Sequence, residues 1–257
     1  KAAVLLALAS LLYFGQGPLG FTALSVTTRV NPGSSGTADA LVTLYIRAPW
    51  TSQQPELSIP QLVQRVKPAV VRIVTPSGSA SGFIFQEGGL ILTNRHVVEP
   101  YSSVKVVVGD SLTLHGRVLG ADPSLDLALV QSEVPPGITL IPLGHSSSLQ
   151  VGQEVLSIGY PLGHVLQGES AVTRGIFSAH REINGRPYLQ TDNPTNTGNS
   201  GGPVVDLKGY AVGVTAAKIE ELDGKTVEGI SLAIPADQVR EAVEAILARH
   251  QAQPAGP

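Results

Sequence analysis

Ser200 is the residue whose surroundings most clearly predict chemistry. It stands in the segment Gly198-Asn199-Ser200-Gly201-Gly202, just before a strand-like run. Glycines let the backbone turn tightly and point several amides at one spot. A serine that attacks a carbonyl needs two such amides to bind the developing oxyanion, and we expect Gly198 and Ser200 to supply them. Taken alone, the segment also fits a glycine-rich turn that carries an incidental serine.

A histidine and an aspartate with the required context occur upstream. A serine hydroxyl is a weak nucleophile until a base takes its proton, and the base needs a carboxylate to hold its tautomer. His96 follows the strand-like run LILTN, and Asp126 begins another such run. Singly, His96 fits a buried structural histidine and Asp126 a strand-start cap. Together, in the order His, Asp, Ser, they predict a catalytic triad with Ser200.

Two other hydrolase architectures fit this sequence poorly. GNSGG matches the nucleophile elbow of α/β-hydrolases, in which a helix follows the serine and the histidine comes last. Here the residues after Ser200 are strand-like, and the histidine downstream of it is His250, in the terminal tail. A subtilisin-type order needs an acid before His96 in a parallel α/β sheet, and the chain lacks the alternating helices. We discard both.

The elements that must position these residues are mostly strands. Runs rich in Val, Ile, Leu, Thr and Phe alternate with turn residues, six before and six after the connecting segment 135–153. Two sets of six predict two β-barrels, an all-β fold. A short capped helix is predicted over 58–66 and a longer one over 236–249. The predicted strands are 69–75, 81–85, 90–94, 104–108, 112–119, 127–131, 154–158, 170–179, 188–191, 203–206, 211–217 and 230–234.

Composition narrows the function classes. The chain has 257 residues, 42% of them apolar and 14% charged, with a net charge of −3. It lacks a run of Lys or Arg, so nucleic acid is not an expected partner. Cysteine is absent, which excludes disulfides and thiolate chemistry. The six histidines lack metal-ligand spacing, so we expect neither a metal nor another cofactor.

The beginning of the chain differs in composition from the rest. Residues 1–28 are nearly uncharged, and Ala2 to Phe14 is almost wholly apolar, which predicts a membrane anchor or a signal peptide. Residues 29–57 have the composition of a linker or arm, with a β-like run from Leu41 to Ile46. Residues 251–257 form a polar tail. Either interpretation of the first segment places the remainder outside the cytoplasm.

Six blocks occur in order along the chain: LILTNRHVV, ADPSLDLALV, SIGYPLG, AVTRGIFSA, LQTDNPTNTGNSGGPVVD and SLAIPADQV. Together they resemble the HtrA/Deg serine proteases, from about Ser58 to Arg249. The resemblance implies a chymotrypsin-like double six-stranded β-barrel over residues 58–250, with barrel one at about 66–134 and barrel two at about 150–235. His96 and Asp126 would then lie on the first barrel and Ser200 on the second, facing a cleft.

The chain also departs from the family pattern. Family members usually continue into PDZ domains, whereas seven residues follow His250 here, so control through a PDZ domain is not assigned. The segment 179–192 looks shorter than the sensor loop of many relatives. Arg95, Thr195 and Thr197 differ from the smaller or more apolar residues expected.

Several residues predict specificity. Trypsin-like digestive enzymes that prefer Arg or Lys carry an acid six residues before the serine, and Pro194 occupies that position. We expect a small, uncharged S1 pocket that accepts Val, Ala, Ile or Thr, and a substrate that adds as a strand along 214–217. Asn199 cannot form the ion pair of zymogen-activated relatives. The expected pocket residues are Pro194, Thr195, Val214, Thr215, Ala216 and Ala217.

The leading hypothesis is a serine endopeptidase, exported or membrane-tethered in a bacterial envelope, that cleaves unfolded or regulatory proteins. The resemblance further implies a homotrimer with Tyr45 and Trp50 as candidate contacts. The alternative is that the arm packs on its own barrel. The rival hypothesis is a catalytically silent, chaperone-like peptide-binding protein on the same fold. The presence of all three triad residues argues against that rival, and an esterase is a third, less favoured activity.

Overall fold

The computed structural model describes residues 55–109, 111–161, 168–218 and 229–252, together with the backbone of the strands at 15–16, 22–30, 38–46, 221–222 and 225–226. Its contacts divide the chain into two units, Lys1–Gln54 and Pro55–Pro257.

The first unit contains a three-stranded antiparallel sheet in the order β1-β2-β3. Its strands are β1 (Gly15–Gln16), β2 (Thr22–Val30) and β3 (Ala38–Ile46). The β-like run expected at 41–46 therefore lies in β3. The apolar run of residues 2–14, Trp50 and the side chain of Tyr45 lie outside the described residues. Within the described part of the chain, no helix is long and apolar enough to span a bilayer.

The second unit begins with the short helix α1 (Ile59–Val66), as predicted. Ser58 and Gln61 form a capping box at its start. The first barrel follows and closes in the order β4-β5-β6-β9-β8-β7. A four-residue helix, α2 (Arg95–Val98), follows β6. The strands are β4 (Val70–Thr75), β5 (Gly78–Gln86), β6 (Leu90–Asn94), β7 (Ser103–Val108), β8 (Leu112–Asp122) and β9 (Leu127–Ser132).

The second barrel closes in the order β10-β11-β12-β17-β14-β13. The two six-stranded barrels confirm the predicted fold class, and each of the twelve predicted strands corresponds to one barrel strand. A separate pair, β15 (Glu221–Leu222) and β16 (Lys225–Thr226), was not predicted. The barrel strands are β10 (Glu154–Gly159), β11 (Ala171–Ile183), β12 (Arg186–Thr191), β13 (Pro203–Asp206), β14 (Ala211–Lys218) and β17 (Ser231–Pro235).

The segment 179–192, expected to be a short loop, is mostly strand. Strands β11 and β12 form a hairpin in which Ile183 pairs with Arg186. The two residues between them, Asn184 and Gly185, have φ angles of 52° and 73°. Two positive φ angles in succession are the signature of a type I′ turn, whose twist matches that of the flanking strands. The Asn-Gly pair therefore lets the strands continue to the end of the hairpin.

The helix α3 (Ala236–Ala252) ends three residues later than predicted. Its buried residues Val239, Ala242 and Ile246 belong to the core that it shares with barrel one. This helix directly follows the last strand of barrel two, so its packing ties the two barrels together. A second, smaller core lies within barrel two around Phe177 and Leu189.

The start of α3 is bonded to the segment between the barrels. The Asp237 carboxylate accepts from the Ser147 amide at 2.9 Å and from the Ser146 hydroxyl at 3.0 Å. The Ser146 hydroxyl oxygen in turn accepts from the Asp237 amide at 3.1 Å. Arg240, one turn along the helix, donates to Asp237 and to the Gly144 carbonyl. The connecting segment is therefore held by hydrogen bonds to the start of α3.

Candidate active site

His96 and Asp126 are joined by two hydrogen bonds. The imidazole Nδ1 lies 2.6 Å from Asp126 Oδ2, and the His96 main-chain amide donates to Asp126 Oδ1 at 3.0 Å. The histidine side chain is 52% exposed and the aspartate side chain 27% exposed. The carboxylate therefore fixes both the position of the residue and the rotation of its ring, and Nε2 is left for other partners.

Two more bonds attach the end of β6 and the start of α2 to the Asp126 main chain. The Arg95 amide and the Asn94 side-chain amide both donate to the Asp126 carbonyl at 3.0 Å. Strand β6 leads into this helix and pairs with β9, with Asn94 opposite Leu127. Asp126 directly precedes β9. The helix that carries His96 and the turn that carries Asp126 are thus held together at the ends of two neighbouring strands.

The turn before β9 places Asp126 in an unusual backbone conformation. Asp126 has a φ of 57°, in the left-handed region. Asp122 Oδ1 closes this turn by accepting from the amides of Ser124 at 2.8 Å and Leu125 at 3.1 Å. Burial by itself would raise the pKa of Asp122, but hydrogen bonds from Ser124 and Leu125 lower it overall. Left-handed non-glycine residues of this kind are concentrated at functional sites, where surrounding bonds hold them.

The Ser200 loop packs on the strand that leads to His96. The Ser81 amide, on β5, donates to the Ser200 carbonyl at 3.0 Å. A Cβ atom on Gly201 would lie 2.4 Å from Thr93 Oγ1 and 3.0 Å from Thr93 Cα. Thr93 stands in β6, three residues before His96. Glycine is required at 201 both by this contact and by a φ of 84°.

The amides around Ser200 fall into two groups. Those of Asn199, Gly201 and Gly202 donate to the carbonyls of Asn196, Thr215 and Asn199 at 3.0, 2.8 and 3.0 Å. The amides of Gly198 and Ser200 have no acceptor among the described residues. These are the two amides that the sequence predicts as oxyanion donors.

The Ser200 hydroxyl is bonded to the main chain of β14 in this structure. It donates to the Ala216 carbonyl at 3.4 Å, and no hydrogen bond joins it to His96 within the described part of the chain. A β-bulge interrupts the pairing of β14 with β17 between Thr215 and Ala217. Ala216 lies at this bulge, without a partner residue on β17, so its carbonyl is available to the serine.

The predicted S1 residues lie in different environments. Pro194 is exposed, whereas Thr195 is buried and its hydroxyl lies 2.7 Å from that of Ser231. Val214 is 0% exposed in the hydrophobic core, so only its main chain can line a pocket. Thr215 is 3% exposed and Ala216 half-buried, while the Ala217 side chain lies outside the description.

Asn199, predicted to rule out a zymogen-type ion pair, is buried. The residue is 6% exposed, and its side-chain Oδ1 has no hydrogen-bond partner among the described residues. Substitution of a carboxylate here would place a charge in a site that offers no bond to this oxygen, which destabilises unless a cation arrives to pair with it.

Three residues that hold the site together, Ser81, Thr93 and Asn94, were not predicted from the sequence. Each is 0% exposed and polar, and each uses its side chain to bond main-chain atoms of another segment. The available signal was a polar residue within a strongly apolar strand. That signal identifies a buried hydrogen bond but not its partner.

Comparison with known proteins gives a consistent result. Residues 80–214 match the family described as trypsin-like peptidase domain. The chain is 39% identical over 192 residues to the serine protease Do-like HtrA of Bacillus subtilis, covering 69% of this chain and 41% of that protein. It is 36% identical over 202 residues to serine protease HTRA1 of Xenopus laevis, covering 71% and 42%. The chain thus spans less than half the length of these relatives.

The fold of this chain also matches solved structures of HtrA-type proteases. The HtrA-type protease AlgW with a decapeptide matches with a TM-score of 0.66 at 27% identity, over 76% of this chain and 69% of that one. The serine endoprotease from Yersinia pestis matches with a TM-score of 0.64 at 32% identity, over 75% and 67%. Sequence family, named relatives and fold all agree: this chain belongs to the trypsin-like peptidase family, among the HtrA serine proteases.

Proposed function

We propose that this chain is the proteolytic part of a serine endopeptidase, with His96 as base, Asp126 as its orienting acid and Ser200 as nucleophile. One observation carries the proposal. The Asp126 carboxylate is hydrogen-bonded to both the ring and the main-chain amide of His96, while the Ser200 loop packs against Thr93, in the strand that leads to that histidine.

The chemistry follows from these bonds. Because the carboxylate accepts a hydrogen bond from Nδ1–H and so keeps the proton on that nitrogen, the lone pair on His96 Nε2 is free to take the Ser200 proton. The serine oxygen then attacks the scissile carbonyl, and the amides of Gly198 and Ser200 bind the oxyanion. Asp126 stabilises the imidazolium, which passes the proton to the leaving amine. Water, activated by the same imidazole, hydrolyses the acyl-enzyme.

The Ser200 hydroxyl must first break its hydrogen bond to the Ala216 carbonyl. Rotation about the Cα–Cβ bond moves a serine hydroxyl between staggered positions, and the bond to Ala216 is long at 3.4 Å. An extended peptide that pairs with β14 through its main chain competes for the Ala216 carbonyl. Substrate binding therefore favours the serine conformation that can reach His96.

Extended polypeptides are the proposed substrates. Addition of a strand uses main-chain hydrogen bonds, which are available in unfolded segments of any sequence. Two AlgW structures, which are similar to this chain, were solved with a decapeptide and a tripeptide. The buried hydroxyls of Thr195 and Ser231 lie 2.7 Å apart. We expect them to limit the depth of a pocket beside β14 and so to favour small uncharged side chains at the cleavage site.

A catalytically silent peptide-binding protein is the second candidate, favoured by the bond from Ser200 to Ala216. A fluorophosphonate probe and casein cleavage separate the two, with Ser200→Ala as the test variant and the exposed Ser103→Ala as control. The proposal expects labelling and cleavage in the native chain and in the control, and neither in Ser200→Ala. A folded native chain that stays unlabelled, with casein intact but bound, supports the binding protein.

Export and assembly are further parts of the proposal. Relatives include a probable periplasmic serine endoprotease of Brucella suis and the chloroplastic Protease Do-like 1 of Arabidopsis thaliana. We place this chain outside the cytoplasm, tethered by or cleaved from its first segment, where it degrades misfolded or regulatory proteins. A reporter enzyme active only after export, fused to residue 57, tests this location, and an inactive fusion would contradict it.

The proposed assembly is a homotrimer formed through residues 29–57. Light scattering of the chain with that segment intact should give three times the monomer mass. A strict monomer at high concentration would rule out the trimer.

A further inference from the structure

Ser81 is buried in barrel one, yet its polar atoms are directed at the loops of barrel two. Its side chain is 0% exposed. The hydroxyl donates to the Gly198 carbonyl at 2.6 Å and accepts from the Tyr160 amide at 2.8 Å. Its main-chain amide donates to the Ser200 carbonyl at 3.0 Å. The direction of each bond is certain, because a carbonyl can only accept and a main-chain amide can only donate.

The bond to Gly198 holds one end of a peptide group. The carbonyl of Gly198 and the amide of Asn199 belong to the same trans peptide, so they point in opposite directions. The carbonyl is held by Ser81, and the amide donates to the Asn196 carbonyl at 3.0 Å. This peptide plane cannot rotate without breaking both bonds.

The next two peptide groups are held in the same way. The Asn199 carbonyl accepts from the Gly202 amide at 3.0 Å, so the Ser200 amide at the other end of that peptide points away from Gly202. The Ser200 carbonyl accepts from Ser81, and the Gly201 amide donates to Thr215 at 2.8 Å. Ser81 is thus bonded on both sides of the peptide that carries the Ser200 amide.

Gly198 needs such an external restraint. Its φ is 99°, a conformation that glycine reaches easily and leaves as easily. Without the Ser81 hydroxyl, the Gly198 carbonyl would be buried with no partner, and the adjacent peptide groups would turn to find one. Such a turn would move the two amides that have no acceptor within the described residues, those of Gly198 and Ser200.

We infer that Ser81 is a positioning residue of the oxyanion hole, whose hydroxyl holds the Gly198 carbonyl and thereby orients the amides of Gly198 and Ser200. The inference rests on the proposed function. Ser81 touches no reacting atom and acts through the loop that it holds. The Tyr160 amide, which donates to the same hydroxyl at 2.8 Å, is its second partner.

The position leaves little room for other residues. A Cβ on Gly159 would lie 2.7 Å from Ser81 Oγ, and one on Gly202 would lie 3.3 Å from Ser81 Cβ. Larger side chains are therefore excluded, and the informative variants are Ser81→Ala, which removes the hydroxyl, and Ser81→Cys, which keeps a weaker donor. Ser157→Ala is the matched control, since Ser157 is 3% exposed and its hydroxyl has no partner among the described residues.

The test compares kcat and KM on a peptide substrate, together with inhibition by a peptide aldehyde and by the corresponding alcohol. The aldehyde forms a tetrahedral adduct whose oxygen occupies the oxyanion hole, whereas the alcohol binds without that adduct. Loss of one oxyanion donor lowers kcat about 100- to 1,000-fold, so a misplaced pair should lower it at least about 10-fold. Assays are run below the lowest melting temperature of the set.

We expect Ser81→Ala to lower kcat with KM unchanged, to weaken the aldehyde by a similar factor and to leave the alcohol unaffected, with Ser81→Cys in between. Ser157→Ala should match the native chain. If Ser81→Ala is folded and has native kcat and aldehyde affinity, or if aldehyde and alcohol weaken equally, the inference is wrong. If Ser81→Ala does not fold, Ser81→Cys decides by the same criteria. A native chain without activity would instead refute the proposed function.

Discussion

The carboxylate of Asp126 binds His96 with both of its oxygens, one to the ring Nδ1 at 2.6 Å and one to the main-chain amide at 3.0 Å. The second bond means that the acid positions the residue as well as the ring. A variant that keeps the main-chain bond while changing the ring bond therefore separates these two roles.

Asp126→Asn is that variant. An asparagine oxygen can still accept from the His96 amide, but its NH₂ group donates to Nδ1 and so favours the tautomer with the proton on Nε2. That tautomer cannot take the Ser200 proton. We expect kcat to fall by about 10⁴-fold with a similar melting temperature. Steady-state kinetics and thermal unfolding on the same samples check this, and a loss below about 10-fold would contradict the assigned role.

Gly201→Ala tests the contact between the serine loop and β6. A Cβ at this position would lie 2.2 Å from the Ser81 carbonyl oxygen and 2.4 Å from Thr93 Oγ1, at a φ of 84°. We expect a loss of about 3 kcal/mol in unfolding free energy, from backbone strain and overpacking together.

Gly88→Ala is the control for that variant. Gly88 has a similar φ of 81° but nothing within 4 Å of the added atom. Strain alone should lower its unfolding free energy by about 1 kcal/mol. Urea unfolding measures both variants, and equal losses would show that the Gly201 contact contributes nothing.

The bonds at the start of α3 predict a dependence of stability on pH. Burial by itself would raise the pKa of Asp237, but hydrogen bonds from Ser147, Ser146 and Arg240 lower it well below the value of an unfolded aspartate. A lowered pKa in the folded state means that the ionised carboxylate stabilises the fold above about pH 4. This contribution to the unfolding free energy is lost as the pH falls further.

Asp237→Asn removes that contribution of the carboxylate. We expect it to lower the unfolding free energy at pH 7 by about 1–2 kcal/mol, and the gap to the native chain should close as the pH falls below about 4. Urea unfolding at several pH values, with the exposed Glu244→Gln as control, measures this. A gap that stays constant down to pH 2 would show that the charge of Asp237 is not involved.

Cleavage specificity is the fourth prediction. Pro194 carries no charge, and the hydroxyls of Thr195 and Ser231 lie 2.7 Å apart. We therefore expect the S1 pocket beside β14 to lack both an acid and a deep apolar slot. We expect Val, Ala, Ile and Thr before the cleaved bond. Mass spectrometry of a digested peptide library gives the profile. A preference for Arg, Lys or Phe would overturn this description of the pocket.

Local signals were sufficient for most of the fold. The strands of both barrels are short apolar runs bounded by turn residues, and α3 is an apolar stripe with an acid near its start, so each could be predicted from its own residues. The segment 179–192 was predicted as a loop because only its length was considered. Asn184 and Gly185 within it are nevertheless a typical pair for a tight hairpin turn. The bulge in β14 left no local signal, because it depends on how β14 pairs with β17.

Residue type, order and apolar spacing are properties of the chain alone, and they were enough to predict the twelve barrel strands, the long helix and the three residues proposed for the triad. Three other features follow from folding in three dimensions: Asp126 holds His96 at two atoms, Val214 lies in the core, and Ser81 holds the Gly198 carbonyl. These features bring together residues that are distant in sequence, and closure of the two barrels selects which atoms meet.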